Sequence, residues 1–304
     1  MRWEDLPQSD NVEDRRGDGG YGGGGMGGGF PMGGGGLGIG TIVVLGLVGW
    51  ALGIDPRLLI GGAEILTGGN QQYEQTQRPP QSAPVNDETA RFVRAVLGST
   101  EVQWKEIFAK DGQTYRAPKL VMFSGGTRSA CGAAQSAMGP FYCPRDREVY
   151  LDATFFKDIE RRFRGCSGEA CKFSSAYVIA HEVGHHVQNL LGILPKVQQA
   201  QQASGDKVAS NRLQVMVELQ ADCFAGVWAH HAEKRWQLLQ PGDIEAALQT
   251  ATAIGDDMLQ KRAQGYVVPD SFTHGSSEQR RRWFTTGFKE GTLKACNTFA
   301  AASL

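Results

Sequence analysis

Neither sign of charge dominates this 304-residue chain: 31 Lys and Arg stand against 32 Asp and Glu, a net charge of −1. That balance offers no global attraction to nucleic acid and no polybasic grip on lipid, so nucleic acid is set aside as a partner. Cysteine is missing from the first 130 residues; all six, at 131, 143, 166, 171, 223 and 296, come later. In a reducing cytoplasm such a set reads as thiols or metal ligands, and outside it as up to three disulfides. Charge is absent altogether from the eighteen residues Leu37 to Ile54, LGIGTIVVLGLVGWALGI. A run of that length with no polar face reads as a transmembrane helix rather than a core helix, and it begins too far into the chain for a signal peptide. Arg2, Arg15 and Arg16 before the run and Arg57 after it bias the N-terminus inward. The cysteine-bearing remainder then falls on the outer side, as a single-pass membrane protein whose folded domain is periplasmic or extracellular.

What is present divides the chain around that run. Residues 1–16 are polar and of mixed charge, and residues 17–36 are mostly glycine. With so little apolar surface to bury, residues 1–36 are expected to form a disordered, glycine-rich tail. Residues 37–54 are the anchor, 55–84 a polar, proline-bearing linker, and 85–304 the folded domain. The fold class expected for that domain is α+β, predominantly helical, with a few short strands. A helical face (Phe92, Val93, Val96, Leu97) resumes as Val102, Trp104, Ile107 and Phe108 after a break at Gly98-Ser99-Thr100. Lys119–Phe123 and Glu148–Asp152 read as strands, and the small-residue loop between them holds Cys131 and Cys143. Cys166 and Cys171 enclose four residues, a spacing a disulfide can close, and Cys131 with Cys143 forms the natural second pair. Spacing alone does not pair Cys223 with Cys296, and Cys223 could remain a thiol. The final helix, Ser276 to Phe288, carries Arg280-Arg281-Arg282, read as a solvated face.

The chemistry concentrates in Ala180-His181-Glu182-Val183-Gly184-His185. Residues four apart on a helix share a face, so His181 and His185 can grip one metal ion. Glu182 can then act as base toward a water on the open side of that metal. The helix is expected to start at a Ser174-Ser175 cap and end near Leu191, and its small and apolar neighbours place it in the interior. A catalytic zinc needs a third protein ligand. A second helix, about Ser210 to Lys234, supplies two acids four apart among apolar residues, Glu218 and Asp222. Acids on a buried face require partners; Glu218 is assigned as ligand, and Asp222 as the acceptor that holds the other ring nitrogen of a zinc-bound histidine. His186 points about 100° away from His185 and reads as a packed neighbour. His230 and His231 lie roughly 18 Å along the helix from Glu218, too far to share its metal. His274, in the loop Ser271–Ser277, could reach the cleft and hydrogen-bond an oxyanion.

Taken together, HEVGHH, ELQADCFAG and THGSSEQR resemble the neutral zinc metallopeptidases of bacteria, whose members often carry an N-terminal membrane anchor and the CG…GPFYCP segment also seen here. The layout is similar to that of the gluzincin metalloproteases more widely. By that resemblance one zinc ion per chain would bind His181, His185 and Glu218, Glu182 would be the base, and Asp222 and His274 would support it. The expected activity is hydrolysis of protein or peptide substrates, with an edge strand near Val149 or Leu120 binding the substrate backbone. Two other classes stay open: a non-catalytic membrane-tethered zinc-binding scaffold, and an amidase acting on cell-wall peptides.

Overall fold

The computed structural model describes residues 1–17, 87–136, 139–161 and 166–304. In chain order they form β1 (Val12–Asp14), α1 (Glu88–Lys110), β2 (Lys119–Phe123), β3 (Gly126–Ser129), β4 (Gly132–Gln135), β5 (Phe141–Cys143) and β6 (Glu148–Asp152). The helices α2 (Phe155–Arg161), α3 (Cys171–Leu190), α4 (Ile193–Ser204), α5 (Lys207–Trp236), α6 (Asp243–Ala253), α7 (Asp256–Gln264) and α8 (Ser277–Glu290) come after them. The result is the expected α+β arrangement with helix in the majority. The expected anchor (37–54) and linker (55–84) lie outside the described residues, and among the described residues no helix is long and apolar enough to cross a membrane.

One four-stranded sheet has the order β1-β2-β6-β5, with β1, β2 and β6 parallel and β5 antiparallel at the edge. β3 and β4 form a separate antiparallel hairpin. The strands at Leu120 and Val149 are therefore interior, already paired on both sides, and cannot accept a substrate strand as expected; the edges are β1 and β5.

Residues 1–17 are not the disordered tail expected from their polarity. Trp3, Leu6 and Val12 are buried, and Trp3 meets Phe92 of α1 edge-on at 5.6 Å between ring centroids. These few apolar side chains borrow the core of α1 instead of building one, which their average composition cannot reveal. The contact also explains why no break occurs at Gly98-Ser99-Thr100. A Cβ on Gly98 would stand 2.2 Å from the carbonyl oxygen of Pro7, so glycine there admits the N-terminal backbone. Ser99 and Thr100 donate to the carbonyls of Val96 and Leu97 within the helix. A mid-helix glycine costs roughly 1 kcal/mol relative to alanine, and here it permits packing that alanine would block.

The core lies between the sheet and a layer of α1, α3, α5 and α8, with Trp104, Phe173, Phe224 and Trp228 fully buried. α5 and α8 touch backbone to backbone: a Cβ on Gly226 would lie 2.2 Å from the Phe284 carbonyl oxygen, and one on Gly287 would lie 1.9 Å from that of Cys223. α3 begins at Cys171, before the expected Ser174-Ser175 cap, because the Cys166–Cys171 disulfide and a 3₁₀ turn at Gly168–Ala170 lead straight into it. Ser175 bonds back to the Cys171 carbonyl instead of capping. Cys131–Cys143 is the second bridge, and Cys223–Cys296, which spacing left open, is the third. That last bridge spans 73 residues and ties the C-terminal 3₁₀ turn to α5. Closing a loop of that size stabilises by about 4 kcal/mol.

Candidate functional site

α3 and α5 cross where Gly184 faces Ala221; a Cβ on Gly184 would lie 3.0 Å from the Ala221 carbonyl oxygen. That close approach sets His181 and His185 on one helix against Glu218 on the other. Glu218 Oε2 lies 3.3 Å from His181 Nε2 and 3.5 Å from His185 Nε2. One donor atom from each of the three residues fits within a mutual separation of 4.8 Å. Glu218 is buried, and a carboxylate withdrawn from water needs positive charge close by. Two imidazole nitrogens and one carboxylate converging on a point match the donor set of a catalytic zinc with one position left for water. The residues present therefore fit the metal. Glu182 is buried on the same helix, one residue after His181.

The ring nitrogens that face away from this point are both held, by different chemistry. His181 Nδ1 donates to Asp222 Oδ1 at 2.8 Å. Asp222 is fully buried and also accepts from the Tyr177 hydroxyl at 2.6 Å and from Arg280 Nε and Nη2, each at 2.9 Å. Burial alone would raise the Asp222 pKa; Arg280 and His181 outweigh it and bring it to about 2. Burial likewise disfavours charge on His181, yet Asp222 and Glu218 hold its pKa up at about 10 when no metal is bound. His185 Nδ1 instead donates to the amide oxygen of Gln188 at 2.9 Å. Gln188 Nε2 donates in turn to the Val217 carbonyl at 2.7 Å and to Gln220 Oε1 at 3.0 Å, and Gln220 donates to the Cys296 carbonyl. Fixing Nδ1 in both rings turns both Nε2 atoms toward Glu218.

His274 also joins the site. Its Nδ1 lies 3.2 Å from Asp256 Oδ1, while Asp256 Oδ2 accepts from the backbone N–H groups of Thr273, His274 and Gly275. Asp256 thus holds both the loop and the ring. Partial desolvation opposes a charged His274, whose side chain is still about half exposed, but Asp256 raises its pKa above the usual histidine value, and Glu218 is near enough to add to that rise.

A protein-family profile described as "Putative neutral zinc metallopeptidase" matches residues 1–299. The chain belongs to that family. An uncharacterized protein of Escherichia coli, YpfJ, is 50% identical over 299 residues, covering 98% of this chain and 99% of its own length. An uncharacterized protein of Mycobacterium tuberculosis, Rv2575, is 42% identical over 228 residues, covering 70% of this chain and 73% of its own. No solved structure matches. In this zinc metallopeptidase family member the profile includes residues 1–17.

The structure brings together His181, His185, Glu218 and Asp222, with Glu182 beside His181 on the same helix and His274 close enough to Glu218 for their charges to couple. The other histidines stand apart from the site. His186 bonds the Arg116 carbonyl and the Tyr142 hydroxyl, and burial lowers its pKa to about 4. His230 and His231 bond the carbonyls of Phe288 and Gly291. Sequence reasoning missed Arg280, which is buried on Asp222 instead of solvated, and with it Tyr177, Asp256 and Gln188. For Arg280 the neighbouring arginines hid the signal. The Ser276 capping box sets the phase of α8 so that Arg280 points inward, while Arg281 and Arg282 stay exposed.

Proposed function

We propose that the protein is a zinc-dependent peptidase, with His181, His185 and Glu218 holding the ion and Glu182 as general base. The observation that carries this reading is the three-donor convergence of a buried carboxylate and two imidazoles, each imidazole fixed from behind. When bound, zinc would supply Lewis acidity, polarising a peptide carbonyl and lowering the pKa of a water to about 7. Glu182 takes the proton from the attacking water and passes it to the leaving amine. His274, oriented by Asp256, donates toward the oxygen on which charge develops in the tetrahedral intermediate. Asp222 and Gln188 keep the two imidazoles in register.

An extended peptide fits the edge strand β5 by backbone pairing. Tyr142 on that strand bonds His186 and Asn189 of α3, which brings the edge alongside the metal-binding helix. Three disulfides with no free cysteine among the described residues support action in an oxidising compartment, outside the cytoplasm. The test is Glu182→Gln assayed on a peptide library with zinc content measured in parallel. Retained zinc with hydrolysis reduced at least about a hundredfold, the scale of lost general-base catalysis, is expected. A variant as active as the parent removes Glu182 from the mechanism.

A further inference from the structure

Residues 1–17 and the segment that begins at residue 87 are parts of one structure. β1 pairs in parallel with β2, Val12 opposite Leu120 and Asp14 opposite Met122. The Ser9 N–H donates to the Arg94 carbonyl at 3.0 Å and the Leu120 N–H to the Asn11 carbonyl at 2.8 Å. Pro7 runs against Gly98 closely enough that no Cβ could stand between them. Arg16 bridges Asp14 at 2.6 Å and Asp87 at 2.8 Å, so the end of the first segment and the start of the second are held side by side. The pairing is charged as well as apolar: Lys119 and Arg15 both reach Glu13, whose pKa falls to about 2 chiefly through Arg15.

Strands of one ladder cannot pair across a bilayer, because the hydrocarbon would have to hold unsatisfied or interrupted backbone between them. A chain whose flanks share a side crosses a membrane an even number of times. Each helical crossing takes roughly 20 predominantly apolar residues. Residues 18–86 contain one run near that length, Leu37 to Ile54; the stretch from 55 to 86 carries Asp55, Arg57, Glu64, Glu74 and Arg78 together with Pro56, Pro79 and Pro80. One such run supports one crossing, and one crossing would separate β1 from β2.

We infer that residues 1–17 and the metal-bearing domain, residues 87–304, occupy the same side of the membrane, so that the apolar run between them is not a single-pass anchor. The single-pass topology expected from the arginine distribution rested on treating the N-terminal residues as independent of the domain, and this inference replaces it. This inference stands whether or not the site hydrolyses peptides.

The experiment uses the full chain in intact bacterial cells, with Glu4→Cys or Glu290→Cys, both at exposed positions outside the site. A membrane-impermeant maleimide is added before and after permeabilisation, and an unchanged Tm establishes that each variant is folded. The two positions are expected to behave alike, both labelled in intact cells or both protected until permeabilisation. Labelling of one in intact cells with the other protected until permeabilisation overturns the inference.

Discussion

The supports beneath the two candidate zinc histidines are built from opposite chemistry. Behind His181 stands a charged cluster, Asp222 with Arg280 and Tyr177, entirely out of solvent. Behind His185 stands a neutral amide ladder, Gln188 to Gln220 to the Cys296 carbonyl. Either device can fix a tautomer. The charged one holds position strongly but leaves an uncompensated charge when Asp222 or Arg280 is lost. The neutral one strands no charge when broken, only unpaired amide and carbonyl groups at about 1–3 kcal/mol, and has no titrating group. His181 is therefore the pH-sensitive, stability-linked half of the site and His185 the tolerant half.

The largest effect should come from breaking the charged half. Asp222→Ala strands Arg280 in the interior, and removing one partner of a buried pair costs about 3–5 kcal/mol. A fall in the denaturant midpoint of the metal-free protein measures it, and an unchanged midpoint would mean the cluster is not the buried network described. Reducing the Cys223–Cys296 bridge comes next, at about 4 kcal/mol by loop closure less whatever structure the reduced chain retains; Cys223→Ala with Cys296→Ala, compared in the same denaturation experiment, checks it.

Gln188→Leu should be milder. Zinc affinity, read by chelator competition, should fall about 10-fold, the lower end for losing a support of this kind. The metal-free protein should lose about 1–3 kcal/mol, less than in Asp222→Ala, because the Val217 carbonyl and Gln220 Oε1 lose their donor; Gln188→Glu, which keeps only the acceptor for His185, should recover zinc affinity but not that stability. If Gln188→Leu matches Asp222→Ala in lost stability, the contrast between the halves disappears.

The same contrast shows in acid. Asp222 has a folded pKa of about 2, below its unfolded value of about 3.9. A depressed carboxylate contributes stability that is present above the unfolded pKa and is lost as pH falls through the folded one. Stability of the metal-free protein should therefore decline from about pH 4 toward pH 2, less steeply in Asp222→Asn and with unchanged slope in Gln188→Leu. Identical acid limbs in all three proteins would contradict the assignment.

The helix-borne half of the site was legible because its geometry is local. His181 and His185, and likewise Glu218 and Asp222, are each four residues apart on one helix, and spacing alone aligns them. The meeting of the two helices was inferred from acids placed among apolar neighbours. Arg280 and Asp256 were not legible, because their place depends on how α8 and α7 dock. For α8 that docking is set by the contact of Gly226 with Gly287, a tertiary fact. The N-terminal segment was misread for a related reason: Trp3, Leu6 and Val12 are too few to make a core and become informative only beside α1. The hairpin β3–β4 and strand β5 escaped notice inside a loop of small residues whose pattern does not alternate.

The most direct test of the account is the zinc content of the purified protein set against that of Glu218→Ala. One zinc per chain in the parent, lost in the variant while both remain folded, is the predicted result. A parent that binds no zinc, or a variant that keeps its full complement, would contradict the two-helix site.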